Sequence, residues 1–417
     1  MDKQGKNQVG NWYGIVIAVL CLLTYSVSFV CRNVWNSVIA IPGVTDSLGI
    51  TALQAGGLAT AFYVGYVLSN LFSGFLVDKF GPKISLVFAA AGTGIFTLII
   101  PFSTSYAMIF FLRVMAGIFS GPLFAGCAKM NYGWFDDKRR GVAVGFIMSG
   151  PAVGTAIASA AFTPIVQSQG WQQGFVIAGI VAIIIGVLML LLGKEKGLAL
   201  ANNKQQLTKA EKQENTRAAL KVFMKKDMLM GTFMHFLIVG AQMGMTTWIL
   251  AFFVNVHGMD PAAAGLIFGG SQALGLVSGT LAGMLSDLLK TRKWLVIVGG
   301  VMSGILMYSY TLTSDATILT IIAVCVQLFG AVLGNSNNIM QTERAKCPQA
   351  GKVGGWYNAI AQCGSVVYPS LAGAILHVTG SYYVVMMVFA LTYIVVAALG
   401  FTVKDTYVRE NKKVLAD

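Results

Sequence analysis

The chain alternates between long apolar runs and short polar breaks. The runs reach about 20 residues or more, the length an α-helix needs to cross the hydrocarbon of a bilayer. Twelve can be drawn, with cores at 12–39, 54–77, 84–103, 107–130, 141–165, 172–193, 229–254, 262–285, 294–313, 317–340, 352–376 and 381–403. The pattern predicts an all-α membrane protein of twelve transmembrane helices in two pseudo-symmetric six-helix halves. The first run begins near Trp12 and continues past Val30 without a small-residue cleavage site, so it reads as a retained span rather than a signal peptide. The longest polar stretch, 194–227, separates an N-terminal half (1–193) from a C-terminal half (228–403), which is followed by a tail, 404–417. It opens on Asn202, Asn203, Lys204, Gln205 and Gln206. Further on, Leu220, Phe223 and Met224 recur at helical spacing among lysines. Two readings stay open for it: an amphipathic helix on an anionic leaflet, or a solvated linker.

Composition sharpens this. Of 417 residues, 56% are hydrophobic and 11% charged, against about 25% charged in a soluble domain. The formal charge of +13 could suggest a nucleic-acid partner, but its placement argues against one. Lys79, Lys83, Lys138, Arg139, Arg140, Lys290, Arg292, Lys293, Arg344, Lys346 and the tail's Lys404, Arg409, Lys412 and Lys413 fall in alternate breaks. The intervening breaks carry Asp46, Asp260 and Asp315 and no lysine or arginine. That asymmetry predicts a multi-pass protein of the cytoplasmic membrane, surrounded by lipid, with both termini cytoplasmic. Cys21, Cys31, Cys127, Cys325, Cys347 and Cys363 have no metal-ligand spacing and read as small packing residues. No cofactor, metal or nucleic acid is expected, and a monomer suffices. There is no nucleophile–base pair to suggest an enzyme.

Arg32 and Arg113 lie inside apolar runs, and no carboxylate lies inside any run. A guanidinium at membrane depth is costly unless it meets water or a partner. An anionic substrate, bound and released, would be such a partner, and a planar fork of donors suits carboxylate, phosphate or sulfonate. Arg32 falls ~30 Å along the first helix and Arg113 ~9 Å from the outer end of the fourth, so one cavity could hold both. The alternatives are snorkelling for Arg32 and bonds to backbone carbonyls for Arg113. Tyr66 and Asn70 share one face of the second helix, and Asn358 and Gln362 one face of the eleventh. Asn335, with Asn337 and Asn338, makes an amide cluster in the tenth. These are candidate substrate ligands, with helix–helix hydrogen bonds as the alternative. His235 is a histidine within a span, either a proton carrier or a structural group. Lys129, at the inner end of the fourth run, reads as a snorkelling lysine.

Gly74, Asp78 and Lys83 recur 209 residues later as Gly283, Asp287 and Arg292, which suggests two related halves. The stretch Gly74-Phe75-Leu76-Val77-Asp78-Lys79-Phe80-Gly81-Pro82-Lys83 resembles the signature loop of the major facilitator superfamily. Gly283-Met284-Leu285-Ser286-Asp287 with Arg292 and Lys293 resembles its weaker second copy. The resemblance implies a gating role for Asp78, Lys83, Asp287 and Arg292, with Asp78 meeting a neighbouring helix N-terminus. Arg32-Asn33, Leu112-Arg113 with Gly117, Trp134-Phe135 with Arg140-Gly141, Thr247-Trp248-Ile249-Leu250 and Thr379-Gly380-Ser381-Tyr382 resemble the anion:cation symporter branch. That branch carries sugar acids, hexuronates and dicarboxylates, and it places cavity-lining residues at positions matching Tyr66, Asn70 and Asn358.

The chain departs from the branch at two places. Cys31 stands before Arg32 where many members have aspartate, and Ser120 stands seven residues after Arg113 where many have glutamate. The sequence therefore points to a secondary carrier of a small organic anion, working by alternating access through anion exchange or facilitated transport. Proton-coupled symport is the alternative. A drug exporter of the same superfamily fits less well, because such sites need acidic residues facing the cavity.

Overall fold

The computed structural model describes residues 3–103, 105–135, 137–196, 209–345 and 350–407. Residues 202–206, Lys346, Cys347, Arg409, Lys412 and Lys413 lie outside it. The described residues are mostly helical and include no strand. The membrane helices are α1 (Lys3–Ala40), α2 (Ala52–Phe80), α3 (Pro82–Phe102), α4 (Tyr106–Trp134), α5 (Gly141–Gln169), α6 (Trp171–Leu192), α7 (Lys226–His257), α8 (Pro261–Ala273 and Gly275–Leu288, joined at Leu274), α9 (Lys293–Ser309), α10 (Ala316–Arg344), α11 (Ala350–Thr379) and α12 (Tyr382–Thr402). The polar stretch between α6 and α7 contains a linker helix, Lys209–Phe223.

Eleven of the described helices are long and apolar enough to cross a bilayer. The twelfth, α9, has 17 residues and ends earlier than the sequence suggests. Hydroxyls there turn to the backbone: Ser309 donates to the carbonyl of Ile305 (2.9 Å) and Thr311 to that of Tyr308 (2.6 Å). Such bonds compete with continued helix. Starts are set by equally local chemistry. Thr51 and Gln54 form a reciprocal capping box at α2, and the Asp315 carboxylate accepts from the amides of Thr317 and Ile318 at α10. Caps of this kind contribute about 1 kcal/mol each. At the start of α8, Asp260 accepts from Gln167 Nε2 (2.8 Å) and from the Ala263 amide (3.2 Å). The Gln167 bond, with the amide, holds its carboxyl below the usual carboxylate range.

Residues 158–162 of α5 form a π turn just before Pro164. Proline supplies no N–H to the preceding turn, so the ladder must loosen there. Ser37 of α1 fills the gap, donating to the Ala158 carbonyl (3.2 Å) and sharing a hydrogen bond with the Thr163 hydroxyl (2.9 Å).

The chain divides into two compact units. The first comprises Met1–Lys204 with Leu250–Ala273, and the second Gln205–Ile249 with Leu274–Asp417. In the first, an apolar core gathers Ile17, Cys21 and Tyr25 of α1 with Leu86, Cys127, Ile147 and Met189. In the second, Ala219 and Phe223 of the linker helix pack with Met228, Ala345, Val353 and Tyr357.

Candidate functional site

In the first unit, α2 and α4 approach so closely that a Cβ on Gly117 would lie 2.0 Å from the Phe62 carbonyl oxygen. One on Gly65 would lie 2.0 Å from that of Val114. Glycine at these crossings lets backbone meet backbone, and the contact carries Arg113 inward. Its residue is 1% exposed. Nε donates to the Leu58 carbonyl (2.5 Å) on α2 and Nη2 to the Arg32 carbonyl (3.2 Å) on α1. The Trp35 and Phe62 rings stand 5.5 and 5.9 Å from its Cζ. Arg113 is thus a tie between three helices, and one of its two bonds ends on the backbone of the other candidate arginine.

Arg32 is 6% exposed, and its surroundings are aromatic. Its Cζ lies 3.6 Å from the Phe29 ring centre and 5.0 Å from that of Tyr63. Its Nε is buried without a hydrogen-bond partner. Stacking on aromatic faces stabilises the flat side of a guanidinium and leaves its N–H edge available. Neither arginine pairs with a carboxylate among the described residues. Tyr66 and Asn70 are half-buried on α2; Tyr66 lies against Gly117 and beside Tyr25.

The two positions where the resembled branch carries acids are occupied by satisfied neutral groups. Cys31 Sγ donates to the Ala178 carbonyl (3.6 Å). The Ser120 hydroxyl joins those of Ser28 (2.7 Å) and Thr93 (3.0 Å) in a buried chain.

At the basic end of this unit, Asp78 pairs with Lys129 of α4 at 2.8 Å, and Lys129 Nζ also donates to the Val77 carbonyl (3.4 Å). Lys129 is therefore engaged with the signature loop rather than snorkelling. Asp78 thus meets the Lys129 side chain at this end. The Lys83 amide donates to Glu195 Oε1 (2.9 Å).

The second unit holds a buried polar node. His235 on α7 stacks on Tyr357 of α11, ring centres 4.8 Å apart and 11° from parallel. Asn337 Nδ2 donates to the Gly231 carbonyl (3.2 Å) and to the Tyr357 oxygen (3.3 Å), while the Tyr357 hydroxyl donates to Asn338 Oδ1 (2.6 Å). Gln341 completes it: a Cβ on Gly231 would fall 1.7 Å from its Nε2. His235 Nδ1, Asn337 Oδ1 and both Gln341 amide atoms are buried without partners. Of the amides singled out by sequence, Asn335 donates to the Gly279 carbonyl (3.1 Å), Asn358 is exposed and Gln362 half-buried. At the basic end of this unit, Arg292 pairs with Asp287 (2.7 Å) and Glu343 (3.6 Å) and also bonds Ser286.

Phe29, Tyr63, Tyr357 and Gln341 were missed in the sequence. In a chain rich in aromatics, a ring facing lipid and a ring facing a cation look alike. The i, i+3 spacing of Phe29 and Arg32 was the one available signal.

The family model for the Major Facilitator Superfamily matches residues 21–346 and 257–416. The chain belongs to the Major Facilitator Superfamily. It is a multi-pass membrane transporter and not an enzyme. A probable galactarate/D-glucarate transporter, GudP of Bacillus subtilis (strain 168), is 26% identical over 412 residues, covering 91% of this chain and 88% of that one. The hexuronate transporter of the same organism is 25% identical over 366 residues, covering 82% and 84%. The probable sulfoacetate transporter SauU of Cupriavidus necator is 26% identical over 389 residues, covering 88% of each. In fold, the transporter is similar to an inward-facing, unoccupied bacterial homologue of the human lysosomal transporter Spinster. That likeness has a TM-score of 0.77 at 16% identity, over 94% of this chain and 96% of the other.

Proposed function

We propose that the chain is a secondary transporter of a small organic anion, a sugar acid, related carboxylate or sulfonate. It works by alternating access in the cytoplasmic membrane with both termini cytoplasmic. One observation carries the reading: Arg32 is buried with its faces stacked on Phe29 and Tyr63, its Nε unpartnered, and no carboxylate paired to it among the described residues. The names of the relatives, transporters of galactarate/glucarate, hexuronate and sulfoacetate, support a small anion as its partner. Arg32 is the anion ligand in this proposal. Arg113 is a positioning residue that fixes the α1 backbone at Arg32. Tyr66 and Asn70, in the same unit as Arg32, orient the substrate.

Exchange is the favoured mode. An unneutralised guanidinium at membrane depth costs about 2.5–3.5 kcal/mol or more. A barrier raised by that amount slows return of the empty carrier roughly 100-fold. Cys31 and Ser120, where acids would accept a proton, are neutral and hydrogen-bonded. The experiment is counterflow in proteoliposomes with D-glucarate, D-glucuronate and sulfoacetate. Preloaded anion should accelerate uptake of labelled anion without an imposed pH gradient. Uptake that requires the gradient and ignores preloading would overturn exchange. If no anion of these classes is transported or raises the melting temperature, the substrate class is wrong. The second reading, proton symport, draws support from His235, whose buried Nδ1 lacks a partner. It requires gradient-driven uptake that His235→Asn abolishes.

A further inference from the structure

The linker helix has three edges, and each has a different chemistry. Ala219 and Phe223 are buried against α11 and the start of α7, with the Phe223 ring edge-on to Trp356 at 5.8 Å. Thr216, one turn earlier, accepts a hydrogen bond from Lys352 of α11 (2.8 Å). These contacts hold the helix against the second unit. Next around the helix come Leu220 and Met224, one turn apart and 48% and 58% exposed. Beyond them lie Arg217 and Lys221, also one turn apart. Lys225 and Lys226 follow where the chain enters α7. All four cations are exposed, and none is ion-paired among the described residues.

An exposed apolar pair flanked by four cations is poorly suited to water alone. It matches a surface that offers acyl chain and negative charge side by side. The position agrees, because Lys226 is the first residue of a membrane-crossing helix and the stripe therefore lies within a few turns of the bilayer surface.

We propose that this edge binds the headgroups of anionic phospholipids in the leaflet at the basic end. Leu220 and Met224 enter the boundary of the acyl region, and Arg217, Lys221, Lys225 and Lys226 contact the phosphates. The site has a consequence inside the unit. Tyr357 belongs to the same apolar cluster as Ala219 and Phe223, and its hydroxyl holds Asn338 in the polar node. Lipid at the linker helix therefore steadies α7, α10 and α11 around His235.

The test reads lipid, not transport, so it stands apart from the substrate reading. The full-length protein, equilibrated with an equal mixture of phosphatidylglycerol and phosphatidylcholine, is examined by native mass spectrometry. Wild type should retain phosphatidylglycerol preferentially. The combined variant R217Q/K221Q/K225Q/K226Q should lose this preference, with retained anionic lipid falling roughly tenfold or more. R217K/K221R/K225R/K226R should keep it. L220Q/M224Q, which preserves the charge, should also weaken retention, and this separates a bilayer lipid from free phosphate. All six positions are exposed, so each variant should elute as wild type on size exclusion. Equal retention of the two lipids by wild type, or unchanged preference in the neutralised variant, would overturn the proposal. So would full competition by inorganic phosphate at physiological ionic strength.

Discussion

At the scale of single residues, the two buried arginines do different work, and their variants should separate. Arg113 sends Nε and Nη2 to carbonyls on two neighbouring helices. Removing it deletes two hydrogen bonds from a charged donor, each worth about 1.5–3 kcal/mol, although both carbonyls keep their intrahelical amide partners. Arg113→Met is therefore expected to destabilise the protein by about 3 kcal/mol or more, read as a lowered melting temperature in detergent. Arg32 makes no comparable tie: its Nε is unpartnered and its faces rest on rings. Arg32→Lys keeps the charge and the stem but loses the flat fork. It is expected to leave the melting temperature near wild type while weakening anion binding about 10–100-fold, the worth of a charge-assisted bidentate contact. Equal melting losses in both variants would show that Arg32 is structural too.

At the scale of elements, the twelve spans were legible because length and apolarity are properties of the sequence itself. The signature loops were legible because glycine, acid and base recur at fixed spacing. Arg32 and Arg113 stood out because a cation in an apolar run is rare. Which of the two readings of Arg113 holds was not legible: helical periodicity gives a face, not the carbonyl that face meets. Lys129 escaped for the same reason, since its partner Asp78 lies 51 residues earlier on another helix. Likewise, α9 ends early through hydroxyl–backbone bonds that hydropathy does not weigh. The crossing of α2 and α4 shows how much depends on contact. Gly117 stands out in the sequence only as part of a family resemblance, which does not say what it meets, yet a Cβ there would lie 2.0 Å from the Phe62 carbonyl oxygen. Gly117→Ala is expected to push the helices apart at a cost of about 1–3 kcal/mol. The shift moves Arg113 away from Leu58, so the variant should show both a lower melting temperature and weaker anion binding. A variant with wild-type values for both would mean that the crossing relaxes without disturbing the arginines.

At the scale of the whole molecule, each unit pairs an aspartate with a base at its basic end. In the first, Asp78 on α2 pairs with Lys129 on α4; in the second, Asp287 at the end of α8 pairs with Arg292, which also reaches Glu343 on α10. Asp78 and Asp287 are largely exposed while Lys129 and Arg292 are mostly buried, so water screens the acidic side of each pair and its contribution to stability stays small, about 1 kcal/mol. Under the proposed alternating-access cycle, the two aspartates, which recur 209 residues apart, are assigned to helix ends that separate and rejoin. A pair of this strength can bias a conformational equilibrium several-fold without affecting the fold. Asp78→Asn and Asp287→Asn are therefore each expected to keep the melting temperature and the anion-induced thermal shift of wild type. Each should slow counterflow several-fold. The reversed pair D78K/K129D should recover part of the rate lost in Asp78→Asn, because attraction across α2 and α4 is restored with the signs exchanged. Loss of anion binding in either single variant would place these aspartates in the substrate's path instead. Failure of the reversed pair to recover any rate would mean that Asp78 acts through some other contact than Lys129.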